Sequence, residues 1–303
     1  MKLSTSLIAG AVALVVLSGS ATVGSAATSV IDIMVDTGAA ERIDAADRLR
    51  TLTQEIPSAA CHYYNGVAPD ESRRLLVEAR DDFDKLLDAL YFGNVGMNII
   101  GEETNRKTLA DLDKVKAIWA DMRPAVETLL DAPRDDAAIE IIKGRNMELF
   151  TVSAHLLSEL TGEYTNPAEL LQIDAIMLDM TGRQSMMTQM MAKDACKIWT
   201  GTAKDEIYEN LQATLDTFDL ILDALRFGMP EAGIKQAPTP EIAASLDEIA
   251  GSWNVVKADL ETAIETHDLD EQARVRVYKN LNKKMYQFDE VVHMYAEFAK
   301  HRY

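Results

Sequence analysis

Two eleven-residue segments decide the fold: FDKLLDALYFG at 83–93 and FDLILDALRFG at 218–228. Their spacing is 218 − 83 = 135 positions, and the same offset takes Cys61 to Cys196. Both segments carry apolar residues three and four positions apart, which is the pattern of one buried helix face. A constant spacing between matching segments is the signature of a repeat. The sequence therefore predicts an internal duplication.

Each copy is predicted to contain four helices, because helical apolar periodicity is interrupted by Gly and Pro residues. Later in the copies the offset becomes 134, which pairs Trp119 with Trp253 and Asn146 with Asn280. The sequence thus predicts an all-α chain of two tandem antiparallel four-helix bundles, packed as a pseudo-twofold pair. The predicted helices are 39–65, 70–92, 105–131, 135–163, 170–199, 204–227, 240–266 and 269–300.

The N-terminal residues are typical of a secretory signal peptide. An apolar run from Leu7 to Leu17 is followed by small residues at 24–27. A membrane anchor is the competing interpretation, but about 20 apolar residues are needed to span a bilayer. We therefore expect residues 1–27 to be removed and the two copies, 28–165 and 166–303, to be released into the periplasm.

The composition limits the partners of the chain. Its 49 acidic and 30 basic residues give a net charge of −19, which disfavours nucleic acid and anionic lipid as partners. The histidines show no ligand spacing, and no nucleophile motif or phosphate-binding loop stands out. We expect no cofactor, no metal site, no enzymatic activity, and no direct membrane insertion once the signal peptide has been removed.

The predicted fifth helix carries a recognisable motif, TGRQSMMTQMMAK at 181–193. It resembles the opening helix of the PilJ-type domain, the extracytoplasmic sensor module of type IV pilus chemoreceptors. That module is related to the sensor domain of nitrate/nitrite-responsive histidine kinases. Asp179 and Ser185 depart from the family pattern. The residues that match it are Gly182, Arg183, Gln184, Met186, Gln189, Ala192 and Lys193.

The resemblance implies a ligand site between the two copies. In the nitrate-sensing relatives, an arginine from this helix in each of two subunits holds the anion. The corresponding positions are Ser185 and, by the offset of 135, Arg50, so that one arginine remains. A guanidinium group suits a planar oxyanion because it donates two parallel hydrogen bonds. The candidate residues for binding a small anion or metabolite are Arg50, Gln54, Arg48, Arg183, Ser185 and Gln189.

An ordinary structural role for the three arginines is the alternative. Each follows an aspartate by three or four positions, the spacing at which side chains on a helix meet. The expected pairs are Asp44–Arg48, Asp179–Arg183 and Asp47–Arg50.

The equivalent cysteines are predicted to form a disulfide. The first helices of the family meet at the symmetry axis, which would bring Cys61 and Cys196 together, and the periplasm is oxidising. The bond would close a loop of 135 residues and stabilise the chain by on the order of 4 kcal/mol. The alternative is two separate buried thiols. Pro57 replaces Ala192 at the equivalent position and predicts a kink in the first helix.

The leading functional hypothesis is a soluble periplasmic sensing or adaptor module. It would bind a small ligand, or a membrane receptor or envelope protein partner, and pass its state on by contact. The alternative is a structural interaction protein of the cell envelope that has lost the ligand site. A weaker third candidate is a metal or haem carrier built on the bundle.

Overall fold

The computed structural model describes residues 38–164 and 172–300. The predicted signal peptide and the linker between the copies lie outside these ranges. Among the described residues, no helix is long and apolar enough to cross a membrane. The chain there forms the helices α1 (Ala39–Tyr64), α2 (Pro69–Phe92), α3 (Arg106–Asp131), α4 (Asp136–Tyr164), α5 (Gln172–Trp199), α6 (Asp205–Phe227), α7 (Pro240–Thr266) and α8 (Glu271–Lys300).

The predicted all-α fold of two tandem bundles is confirmed, and the helix ends follow from local chemistry. The Asn105 side chain accepts a hydrogen bond from the Lys107 backbone N–H at 2.8 Å and caps the start of α3. Gly93 and Gly228 end α2 and α6 with φ angles of 77° and 78°, which glycine adopts at little steric cost. A Cβ atom on Gly93 would also lie 2.5 Å from the Gly101 carbonyl oxygen.

The repeated segments quoted above form the same core contacts in both bundles. Phe83 packs on Trp119 and Phe218 packs on Trp253, with ring centroids 4.3 Å apart in each case. The aspartate after each phenylalanine accepts a hydrogen bond from the indole N–H of the same tryptophan. Each segment thus joins the second helix of its bundle to the third.

The two bundles meet mainly through α1 and α5. Near the start of these helices, Asp47 lies against Gly182, and near their ends a disulfide joins Cys61 to Cys196. Contacts between equivalent positions at both ends mean that α1 and α5 run parallel and in register. The disulfide expected from the resemblance is present, with the two Cα atoms 6.3 Å apart.

The alignment of the fourth helices differs from the predicted one. Buried positions of α4 coincide with buried positions of α8 at an offset of 135 and not 134, so Asn146 corresponds to Leu281. The sequence comparison, with its offset of 134, had therefore aligned α4 with α8 one residue out of register. The matching buried pairs are Ala138 with Ala273, Ile142 with Val277, Asn146 with Leu281, Ser153 with Phe288, and Leu156 with Val291.

Helix α1 continues through Pro57 to Tyr64. Proline has no backbone N–H, so the carbonyl of Thr53, four residues earlier, loses its helical partner. The Asn146 side chain donates to that carbonyl oxygen at 2.7 Å. A residue of α4 therefore replaces the hydrogen bond that the proline removes from α1.

Candidate ligand site at the contact between the copies

The six candidate ligand-binding residues all lie on α1 and α5, the helices that join the copies. Four of them are buried: Arg50, Gln54, Ser185 and Gln189. Arg48 is partly covered, and Arg183 keeps 54% of its side-chain surface exposed. The structure therefore gathers these residues along one interface and separates them by their degree of burial.

Arg50 is buried in the contact between the copies. Its guanidinium pairs with Asp47 on its own helix, as predicted, and lies 3.8 Å from the Asp179 carboxylate of α5. Its Nε atom is buried and has no hydrogen-bond partner. The arginine thus meets one carboxylate from each copy and retains an unused donor.

Asp47 fits into this contact because the facing residue is glycine. A Cβ atom on Gly182 would lie 2.2 Å from an Asp47 carboxylate oxygen, far closer than such atoms approach. Burial raises the pKa of Asp47 to about 6, against the attraction of Arg50 and with the repulsion of Asp44 and Asp179. Protonation of this carboxyl group near pH 6 would weaken its hold on Arg50.

Arg48 does not form the predicted ion pair with Asp44. Its closest carboxylate partner is Glu55 at 2.9 Å, and Asp82 of α2 and Asp289 of α8 lie at 3.8 and 4.0 Å. Glu55 lies two turns further along the same helix face, and its side chain is only 2% exposed. A counter-charge stabilises a buried carboxylate more than an exposed one, and Arg48 therefore pairs with Glu55.

Ser185, at the position for which the resemblance implied an arginine, faces a carboxylate. Its hydroxyl donates to Asp289 of α8, the same residue that approaches Arg48. Burial raises the pKa of Asp289, and the Ser185 hydrogen bond opposes this shift. Position 185 of the second copy therefore places a hydroxyl group beside a partly exposed acidic side chain.

The two candidate glutamines have different partners. The Gln54 side-chain oxygen accepts from the Lys193 ammonium group at 2.6 Å, and Asn146 accepts from the same group at 3.3 Å. The Gln189 amide donates to Asn282 at 3.0 Å. Lys193 is buried, and desolvation lowers its pKa to about 8. Lys193 matched the family motif but was not a predicted site residue, and its burial was the missing information.

Arg183 forms the predicted pair with Asp179, four residues before it, at 2.8 Å. Both side chains are exposed. Arg183 therefore belongs to the surface of α5 and does not extend into the buried contact.

At the other end of the α1–α5 contact, aromatic rings lie beside the disulfide. His62 stacks on Tyr278 with ring centroids 3.8 Å apart and meets the edge of Trp199 beside the disulfide. Complete burial lowers the pKa of His62 to about 3, so the ring is neutral at physiological pH. The ionisable candidate residues are thus confined to the half of the interface near the helix starts.

Acidic groups outnumber basic ones around the candidate arginines. Within the described ranges, no group of three or more His, Cys, Asp or Glu side chains is arranged to hold a metal ion. A small anion would have to take a guanidinium away from a carboxylate partner. The acidic groups that approach Arg48, Arg50 or Arg183 are Asp47, Glu55, Asp82, Asp179 and Asp289.

The fold and the α1–α5 contact define two tandem helical-bundle modules that are joined through their first helices. The model of the PilJ family, described as "Type IV pili methyl-accepting chemotaxis transducer N-term", matches residues 35–142 and 171–277. The chain belongs to this family and contains its domain twice, which places it among sensory, signal-transduction proteins. The resemblance seen in the fifth helix is thereby confirmed. No curated protein matches the sequence.

Proposed function

We propose that this chain is a periplasmic sensory module that detects a small anionic ligand at the α1–α5 contact. A membrane receptor or envelope protein partner would then receive the change by contact, and the chain itself would have no enzymatic activity. The observation that carries the proposal is Arg50, a buried guanidinium between the copies with an unused Nε donor. Guanidinium groups are suited to oxyanions, and this one is shared by both copies.

Binding would be coupled to the uptake of a proton. Asp47 holds Arg50 while it is ionised, and its pKa is raised to about 6. Below that pH the carboxyl group is neutral and competes less well with an incoming anion. The affinity for the anion should therefore rise as the pH falls through 6, and the contact between the copies should change with it.

A thermal-shift series with nitrate at pH 5.5 and pH 8 tests this proposal. A ligand that binds only the native state must raise the melting temperature. We expect a larger nitrate shift at the lower pH. Arg50→Ala should weaken binding about 10- to 100-fold, since a hydrogen bond to a charged group contributes about 1.5–3 kcal/mol. Arg183→Ala is the matched control and should bind nitrate nearly as the unaltered chain does.

Equal losses of affinity in the two variants would contradict the assignment of Arg50. If nitrate and other small oxyanions shift the melting temperature at neither pH, the alternative function follows. That alternative is a structural interaction protein of the envelope, and the ion pairs already formed by Arg48 and Arg50 favour it. A visible spectrum and elemental analysis of the purified protein would test the third candidate, a metal or haem carrier.

A further inference from the structure

Two connecting segments, 93–105 and 228–239, lie at the same end of the molecule, here called the loop end. In the first copy, Gly38 at the start of α1 lies against Asn98, and Arg42 donates to the Gly101 carbonyl oxygen at 2.5 Å. Tyr164 at the end of α4 donates to Glu103 at 2.9 Å. The first connection therefore lies beside the start of α1 and the end of α4.

The second connection is placed at this end by the directions of the helices. Helix α5 runs parallel to α1, as the contacts of Asp47 and Cys61 with their equivalents show. Helix α8 runs antiparallel to α5, because Ser185 meets Asp289 and Gln189 meets Asn282.

Helix α7 is antiparallel to α8 in turn, because Glu248 meets Gln287 and Asp259 meets Arg276. The start of α7, and with it the connection from α6, is therefore at the loop end.

The loop end carries a concentration of exposed apolar side chains. Of the ten exposed large apolar residues in the described ranges, five belong to it: Phe92, Val95, Ile100, Ile176 and Phe227. Phe92 and Phe227 are repeat-equivalent (92 + 135 = 227) and are 66% and 64% exposed. Single exposed apolar residues are ordinary, but a clustered set points to an interaction surface.

The charge distribution limits what this surface can contact. Residues 92–101 contain no charged side chain, although the chain has a net charge of −19. The equivalent segment 227–236 contains two of opposite sign, Glu231 and Lys235. The acidic remainder of the molecule would repel an anionic surface. A neutral, apolar surface is compatible with both connecting segments, which together with Phe92 and Phe227 are here called the two tips.

We propose that the loop end is a peripheral docking surface for a phospholipid bilayer with neutral headgroups. Phe92 and Val95 of one tip and Phe227 of the other would enter the headgroup boundary together. Interfacial binding of this kind scales with the apolar area buried and needs no membrane-spanning helix. The surface differs from the candidate ligand site, and it would fix the orientation in which the module meets a membrane receptor.

Quenching of tryptophan fluorescence by lipids with brominated tails tests the proposal on the full chain. Phe92→Trp and Phe227→Trp each place a reporter on one tip, and Leu220→Trp is the matched control on α6, where the native side chain is 58% exposed. The native tryptophans at 119, 199 and 253 are buried, and their signal is subtracted with the unaltered chain. The vesicles contain phosphatidylcholine, and unchanged melting temperatures establish that each variant is folded.

We expect each tip reporter to lose about a third or more of its added emission, as insertion at the boundary requires, and the control to lose little. Addition of phosphatidylglycerol should reduce the quenching, because the acidic chain is repelled. Absence of quenching at both tips, or equal quenching at position 220, would overturn the proposal. A requirement for the anionic lipid would overturn it as well. The two tips would then be left as a surface for a protein partner.

Discussion

The two copies share a fold but differ along the helices through which they touch. Asp47 and Gly182 occupy equivalent positions and lie against each other, and the aspartate fits only because its counterpart has no side chain. In a symmetric homodimer both positions would hold the same residue. The duplication therefore allows one copy to provide a carboxylate and the other to provide the space for it.

A second difference links several residues on three helices. Pro57 removes a backbone donor, Asn146 satisfies the Thr53 carbonyl that is left over, and Asn146 also accepts from Lys193. In the second copy Ala192 keeps the donor, and Leu281 stands at the position of Asn146. The proline and the asparagine of the first copy and the buried lysine of the second therefore form one arrangement that has no repeat-equivalent counterpart.

The equivalent arginines Arg48 and Arg183 show the same divergence in their ion pairs. Arg48 has acidic neighbours on α1, α2 and α8, whereas Arg183 has one exposed partner on its own helix. The positions in the second copy that correspond to Glu55 and Asp82 hold Met190 and Thr217. Residues that are identical in the repeat therefore need not have the same role.

The largest expected effect concerns the covalent link between the copies. Replacing both Cys61 and Cys196 by alanine should lower the free energy of unfolding by about 4 kcal/mol, since the bond closes a loop of 135 residues. Denaturant titration measures this loss, and a reducing agent added to the unaltered chain should reproduce it. A loss below about 1 kcal/mol would mean that the noncovalent contacts of α1 and α5 suffice.

The next effect concerns Arg48, the first-copy member of the pair of equivalent arginines. Arg48→Ala leaves the buried Glu55 carboxylate without its partner at 2.9 Å. Removal of one member of a buried pair is strongly destabilising, so we expect a loss of about 3 kcal/mol, measured by denaturant titration. Adding Glu55→Gln to this variant should restore part of the loss, because an amide does not need a counter-charge. Failure of that rescue would show that Arg48 acts mainly through α2 and α8.

A smaller effect is expected from giving the first copy the residue of the second. Asn146→Leu leaves the Thr53 carbonyl and the Lys193 ammonium group each short of a partner, and an unpaired buried group costs about 1–3 kcal/mol. Pro57→Ala should reduce this loss, because it restores the helical donor to Thr53. A double-mutant cycle measures the coupling. Strictly additive losses would show that the proline and the asparagine are independent.

Apolar periodicity predicted the helices and the constant offset predicted the duplication, while the disulfide was expected from the repeat together with the family resemblance. Pairs three or four residues apart were predicted correctly for Arg50 and Arg183, because neighbours on a helix surface depend on spacing alone. Arg48 was assigned the wrong partner, because burial decides between Asp44 and Glu55. The approach of Asp289 to Ser185 joins residues 104 positions apart, and no local pattern encodes it.

The pH dependence of stability should separate the charged half of the contact from the rest. The native pKa of Asp47, about 6, lies above its ordinary value of 3.8, so its stabilising contribution is present at low pH and is lost as the pH rises through 6. Two pKa units correspond to about 3 kcal/mol, and less is expected because the side chain is 20% exposed.

Asp47→Asn should therefore be more stable than the unaltered chain at pH 7.5 by about 1 kcal/mol, with a smaller difference at pH 4.5. Urea titrations at both pH values measure it, and Asp88→Asn, which removes an exposed carboxylate on α2 away from this contact, is the control. A difference that grows toward low pH would contradict the assignment.

The smallest effect is expected at the surface of the second copy, and it completes the comparison with Arg48. Arg183 and Asp179 are both exposed, and pairs of this type four residues apart contribute about 0.2–0.5 kcal/mol. Arg183→Ala should lower the free energy of unfolding by no more than that, and added salt should abolish the difference because exposed charges are screened. A loss as large as that of Arg48→Ala would mean that the equivalent arginines share a buried role, because an exposed single pair cannot produce it.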